Sequence, residues 1–238
     1  MVTSPGLQNI FGDKSSLVLR ALLREPDRRW TTRQLAEEGA SLGLVSLVLA
    51  DLENSGFVVR HASGRFSHSV LAQPQKLLEA WTQAYRFQRN PQAHFYAPDP
   101  ELLPKLRDHF VSRKIPYALT AFSGANLVAP NVVNNDISVY IDVPDDKAEQ
   151  YFCDLQTHFT LVPPKAGANV HFVLPIYKTS VFRDSRPIRG YQVVSNLQLY
   201  LDLFNHPLGG EEQAEWLAAR LEEWKTPLIG KGGKNDTV

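Results

Sequence analysis

The sequence predicts an α+β chain: a front part of short helices closed by a hairpin, then a small α/β domain built on a mixed sheet. Two observations carry this. Over residues 15–70, three apolar runs at helical spacing are followed by two short runs at strand spacing, separated by a Ser-Gly turn. After His94 the pattern changes to helix and strand in alternation. Between the two parts, Arg89-Asn90-Pro91-Gln92 has the composition of a linker. The expected organisation is a loose arm over 1–14, a first domain over 15–90, a second over 94–225, and a disordered tail over 226–238.

The front elements follow from local signals. Ser15 or Ser16 can cap a first helix carrying Leu17, Val18, Leu19, Leu22 and Leu23, and Pro26 ends it. Thr31 with Gln34 is a capping-box pair opening a second helix, which Gly39 closes. Ser41 caps a third. Its Leu44, Val45, Val48, Leu49 and Leu52 make one buried face, and Asn54-Ser55-Gly56 stops it. Phe57–His61 reads as a strand, Ala62-Ser63-Gly64 as a turn, and Arg65–Val70 as the return strand. A fourth helix starts at Pro74, with Leu77, Leu78, Trp81 and Tyr85 on one side. Three helices followed by one hairpin is the element order of a winged helix-turn-helix.

In the back half, Asp99 and Pro100 start a helix with Leu102, Leu103, Leu106 and Phe110. Tyr117–Thr120 is a short strand running into a helix through Ser123-Gly124-Ala125. Ile137–Val143 alternates as a strand, and Asp145 or Asp146 caps the next helix. Further strands are expected at 159–162, 170–174, 179–182 and 191–194, and closing helices at 195–205 and 211–224.

Composition narrows the function. Lys and Arg number 25, as do Asp and Glu, so no global charge attracts nucleic acid. Residues 1–92 hold eleven basic and eight acidic side chains, a small excess in favour of a DNA-facing front. The single cysteine, Cys153, rules out an internal disulfide, fits a reducing cytoplasm, and reads as a core or boundary thiol. The mixed charges near the start argue against a signal peptide, and no run reaches the ~18 apolar residues of a membrane span. The seven histidines show no zinc-protease spacing, and no metal or cofactor is expected.

A winged helix-turn-helix lays a helix in the major groove and its wing along a phosphate strand. The matched positions are Thr32 and Arg33 at the second helix start, Ser41 and Ser46 on the third helix, and Arg60, His61, Ser63 and Arg65 on the wing. The exposed side of the third helix is Ser41, Leu42, Gly43, Ser46 and Leu47. It has no Arg, Lys, Asn or Gln before Asn54, the residue types that distinguish base edges by paired hydrogen bonds. Either the wing and dimer geometry supply the binding, or the surface meets a protein partner through Leu42 and Leu47.

From Phe122 to Asp142 the chain resembles a nucleotidyltransferase signature: a Ser-Gly turn, about a dozen residues, then an acid opening a strand. That chemistry needs two carboxylates, one residue apart, sharing metal ions that clamp a triphosphate. Asp136 supplies the first. Ser138 stands where the second belongs, Asp142 lies too far along, and residues 169–175 offer no third. The expected domain is nucleotidyltransferase-like without the catalytic acids, and no enzyme; the alternative is a residual nucleotide-binding protein in which Asp136 and Asp142 hold a divalent metal with the nucleotide.

Two stretches, Tyr117–Pro130 and Ser195–Ala214, resemble the AbiEi-type antitoxins of type IV toxin–antitoxin systems. The order of parts is similar too. The resemblance implies a cytoplasmic bacterial repressor that binds an inverted repeat of double-stranded DNA upstream of its own operon. It implies a homodimer or multimer on DNA, and a second domain that opposes a nucleotidyltransferase toxin without a stable complex.

Overall fold

The structure is a computed structural model that describes residues 10–165, 167–207 and 209–220, without the side chain of Arg65. The chain divides after Tyr85 into two compact units; the second runs Arg86–Leu217, and the first holds the other described residues. The architecture is mixed α+β.

The first unit opens with helix α1 (Asp13–Arg24). Two expectations are corrected here. Ser15 and Ser16 do not cap it: Gly12 holds that position, and both serines are buried inside the helix. Residues 10–14 are no arm either, because Ile10 and Phe11 are buried and Phe11 stacks on Trp81. The rest of the arm lies outside the described residues. Helix α2 (Thr32–Glu37) carries the full capping box: Gln34 N–H donates to Thr31 Oγ1 at 3.2 Å, and Thr31 N–H to Gln34 Oε1 at 2.9 Å. Ser41 accepts from Leu44 N–H to start α3 (Leu42–Asn54), whose Val45, Val48, Leu49 and Leu52 are buried. Gly56, at φ +74°, turns the chain out of α3 in a conformation that disfavours any Cβ.

Strands β1 (Val58–His61) and β2 (His68–Leu71) pair antiparallel, His61 opposite His68 and Val58 opposite Leu71. The tip is longer than a tight turn, because Gly64–Phe66 forms one turn of 3-10 helix. Trp30 adds a bridge to the ladder: its N–H donates to Ser69 O at 2.9 Å and its carbonyl accepts from Ser69 N–H at 2.7 Å. Helix α4 (Pro74–Ala84) buries Leu77, Leu78 and Trp81. Leu49 and Trp81 are both fully buried in this unit's core.

The second unit begins before the expected linker ends: Phe87–Arg89 is a 3-10 turn, Asn90 is buried, and β3 (Gln92–Phe95) is already a strand. There follow α5 (Leu102–Ser112), β4 (Tyr117–Leu119), α6 (Ala121–Val128), β5 (Ile137–Ile141), α7 (Asp145–His158) and β6 (Val170–Val173). Then come β7 (Arg186–Ile188), β8 (Tyr191–Val193), α8 (Asn196–Phe204) and α9 (Gly210–Arg220). The six strands form one mixed sheet in the order β3-β6-β5-β4-β8-β7. β5–β6 and β4–β8 run parallel, and the other pairs antiparallel. One face packs Phe110 on Tyr117 and Phe152 on Phe172. The other meets α8, where buried Asp202 accepts from Tyr140 Oη at 3.1 Å, from Gln198 Nε2 at 2.8 Å and from Thr120 Oγ1.

Four further expectations are corrected. Residues 179–182 are turns, and 159–162 contribute only a bridge between Tyr96 and Val162. Asp145 and Asp146 sit inside the first turn of α7, which Pro144 precedes as N-cap. Cys153 is exposed rather than at a core boundary. The disordered tail expected over 226–238, and the end of the last helix beyond Arg220, lie outside the described residues.

Candidate nucleic-acid interface

The candidate surface, the β1–β2 hairpin (the expected wing) with the starts of α2 and α3, is assembled by three devices already in place: the capping box, the Ser41 cap and the Trp30–Ser69 bridge. The first aims the start of α2 outward, with Thr32 half-buried and Arg33 exposed. Arg33 has no carboxylate partner among the described residues. Arg60 projects from β1, and its Nη1 lies 3.7 Å from Glu53 Oε2 at the end of α3. His61 stacks on its cross-strand partner His68, with ring centroids 4.8 Å apart. Ser63 and Ser67 tie the tip together: Ser63 N–H donates to Ser67 Oγ at 3.1 Å, and Ser67 Oγ–H to Gly64 O at 2.7 Å. Between the wing and α2 lies a polar notch of about 210 Å³, whose lining includes Thr32, Glu53, Arg60, His61 and His68. The wing-side and α2-side residues therefore share one notch. Arg65 belongs to the 3-10 turn at the wing tip, and its side chain lies outside the described residues.

The exposed side of α3 is different. Ser41 spends its acceptor on the cap, and Ser46 Oγ–H donates back to Leu42 O at 2.9 Å. Leu42 and Leu47 stand 55% and 66% exposed. This surface has shape and apolar area but no paired hydrogen-bonding group for a base edge.

Sequence reasoning missed Glu53, His68 and Trp30. Trp30 carried a signal: an aromatic residue directly before the capping-box threonine is the position of a hydrophobic staple. Its indole is also capped by the Arg28 guanidinium, 3.9 Å from the ring centroid. Glu53 carried none, since its approach to Arg60 depends on how α3 meets β1.

In the second unit, the Ser-Gly pair is structural. Ser123 Oγ–H donates to Asp136 O at 2.6 Å, and the same oxygen accepts from Ser138 N–H at 2.7 Å, locking the start of β5. A Cβ on Gly124 would meet Leu199 Cδ2 at 2.6 Å and Leu119 O at 3.1 Å, so α6 needs glycine to lie this close. Asp136 and Asp142 flank β5 at its two ends and, six residues of extended chain apart, are separated by roughly 20 Å. They cannot share a metal ion. Among the described residues no group of three or more His, Cys, Asp or Glu side chains converges on one point.

Residues 70–220 match the family model described as a transcriptional regulator, the AbiEi antitoxin of a type IV toxin–antitoxin system. The chain belongs to this AbiEi antitoxin family. Its members are transcriptional regulators and antitoxins rather than enzymes. The matched stretch starts in β2 and takes in the whole second sheet of this AbiEi-family chain; the wing and helix residues from Thr32 to Arg65 precede it. No curated protein and no solved structure matches the chain. No helix among its described residues is long and apolar enough to cross a membrane.

Proposed function

We propose that this AbiEi-family regulator represses its own operon by binding an inverted repeat, with the first unit acting as a winged helix-turn-helix. The observation that carries the reading is the polar notch, where the wing and the start of α2 present Thr32, Arg60 and His61 to one phosphate strand. Arg33, Ser63 and Arg65 extend that contact, while Ser41 and Ser46 face the groove with Leu42 and Leu47. Binding energy comes from the wing cations, and sequence preference from geometry and thymine methyl contacts. Two copies bind the two half-sites as a homodimer or larger multimer. The second unit is a nucleotidyltransferase-like fold that has lost its acids. It opposes a nucleotidyltransferase toxin without forming a stable complex with it.

The test is binding of the full chain to DNA from upstream of its own coding sequence, against unrelated DNA of equal length. Footprinting should protect two symmetric half-sites. Equal affinity for both DNAs, with no protected repeat, rejects operator recognition.

A second reading is favoured by one observation, the exposed Leu42 and Leu47 on α3. In it, α3 enters an apolar groove of a protein partner. It requires that the chain bind no DNA at low salt, and that Leu47→Glu abolish dimerisation or partner capture.

A further inference from the structure

The sheet face that carries Asp136 also carries an imidazole pair. Ser138 of β5 is the register partner of His171 on β6, and His171 is the partner of His94 on β3. The three side chains form one lateral row across neighbouring strands, beside the position where a second carboxylate is missing. His94 Nδ1 and His171 Nδ1 are 2.8 Å apart, with ring centroids separated by 5.0 Å. The other nitrogen of His171, Nε2, lies 3.8 Å from Asp136 Oδ2. A proton on Nε2, facing that carboxylate, leaves His171 Nδ1 as a bare lone pair aimed at His94. Two such nitrogens meet at this distance only with a proton or a cation between them.

We propose that His94 and His171 are two protein ligands of an open site for a divalent transition metal of the zinc and nickel class, backed by the carboxylate of Asp136. Metal–nitrogen bonds of about 2.0–2.1 Å in a tetrahedral arrangement put two ligand nitrogens roughly 3.4 Å apart. The pair therefore opens by a little over half an ångström, which the exposed His94 ring accommodates. The donor set decides the metal. Magnesium and calcium take oxygen ligands, whereas neutral imidazole suits zinc, nickel and copper. A carboxylate behind a ligating histidine fixes its tautomer and raises its basicity. Water fills the remaining positions. The site would be an imidazole successor to the lost carboxylate pair, and it stands whether or not the first unit binds DNA.

The experiment is calorimetric titration of the full chain, free of any affinity tag, with Zn²⁺ at about pH 7.5, and absorption spectroscopy with Co²⁺. One ion should bind per chain. Affinity should fall by at least about tenfold in His94→Gln and by about tenfold in Asp136→Asn. His158→Gln, which alters the other histidine pair of this unit (His109 and His158, centroids 5.0 Å apart), should bind as the parent does. A thermal melt of His94→Gln shows that the variant is folded. Absence of binding in the parent chain, or equal binding in folded His94→Gln, overturns the proposal.

Discussion

In the proposed wing, Arg60 lies beside the carboxylate of Glu53. Their 3.7 Å pairing joins two partly exposed side chains, an interaction worth about 0–1 kcal/mol. It is weak enough for a phosphate to displace Glu53, yet the carboxylate still repels that phosphate. Glu53→Gln is therefore expected to tighten DNA binding a few-fold, most visibly at low salt, in a fluorescence anisotropy titration; weaker binding would show that Glu53 positions Arg60 rather than competing for it. Gly124 makes a stability prediction of the same grain. Gly124→Ala drives a methyl into Leu199 and the Leu119 carbonyl, and should cost about 1–3 kcal/mol in chemical denaturation. At this scale the sequence was informative for some local roles, Ser41 as a cap among them, but misplaced the caps expected at Ser15 or Ser16 and at Asp145 or Asp146. The exposure of Leu42 and Leu47 and the cap at Ser41 follow from periodicity, while the Glu53–Arg60 approach depends on tertiary packing that no spacing encodes.

Among the elements, those with an internal signal were the legible ones. The Thr31–Gln34 capping box is visible in four residues and present as read. Thr31→Ala removes the side-chain acceptor and should lower the stability of the first unit by about 1 kcal/mol, measured by thermal melting. Strands β3 and β7 were invisible for a physical reason: they lie at the two edges of the sheet. An edge strand has one neighbour, and Arg186-Pro187-Ile188 lacks clean alternation, with Pro187 tolerated because one side of an edge makes no ladder. The opposite error, a strand at 179–182, came from apolar residues whose burial is achieved by a chain of turns. The candidate metal ligands were equally out of reach, because His94 and His171 are far apart in sequence and β3, which joins them, was not seen.

For the whole molecule, ionisation and DNA binding are the properties that single elements do not determine. Burial lowers the pKa of His109 and of His171 in the second unit. A histidine with a depressed folded-state pKa favours the neutral form, so its contribution to stability is present above the unfolded value of about 6.5 and is lost as pH falls through the folded value. The melting temperature of the second unit should accordingly drop between about pH 7 and pH 5, and His109→Gln should flatten that dependence. The family assignment rests on the stretch from residue 70 to 220, yet the surface held responsible for DNA binding precedes it. The most direct measurement is the salt dependence of affinity for the upstream repeat, in the parent chain and in Arg60→Ala/Arg65→Ala. The double variant should bind more weakly on every sequence tried, with a slope of log affinity against log salt shallower by about one unit per lost phosphate contact. Unchanged affinity and unchanged slope would contradict a wing that carries the binding energy.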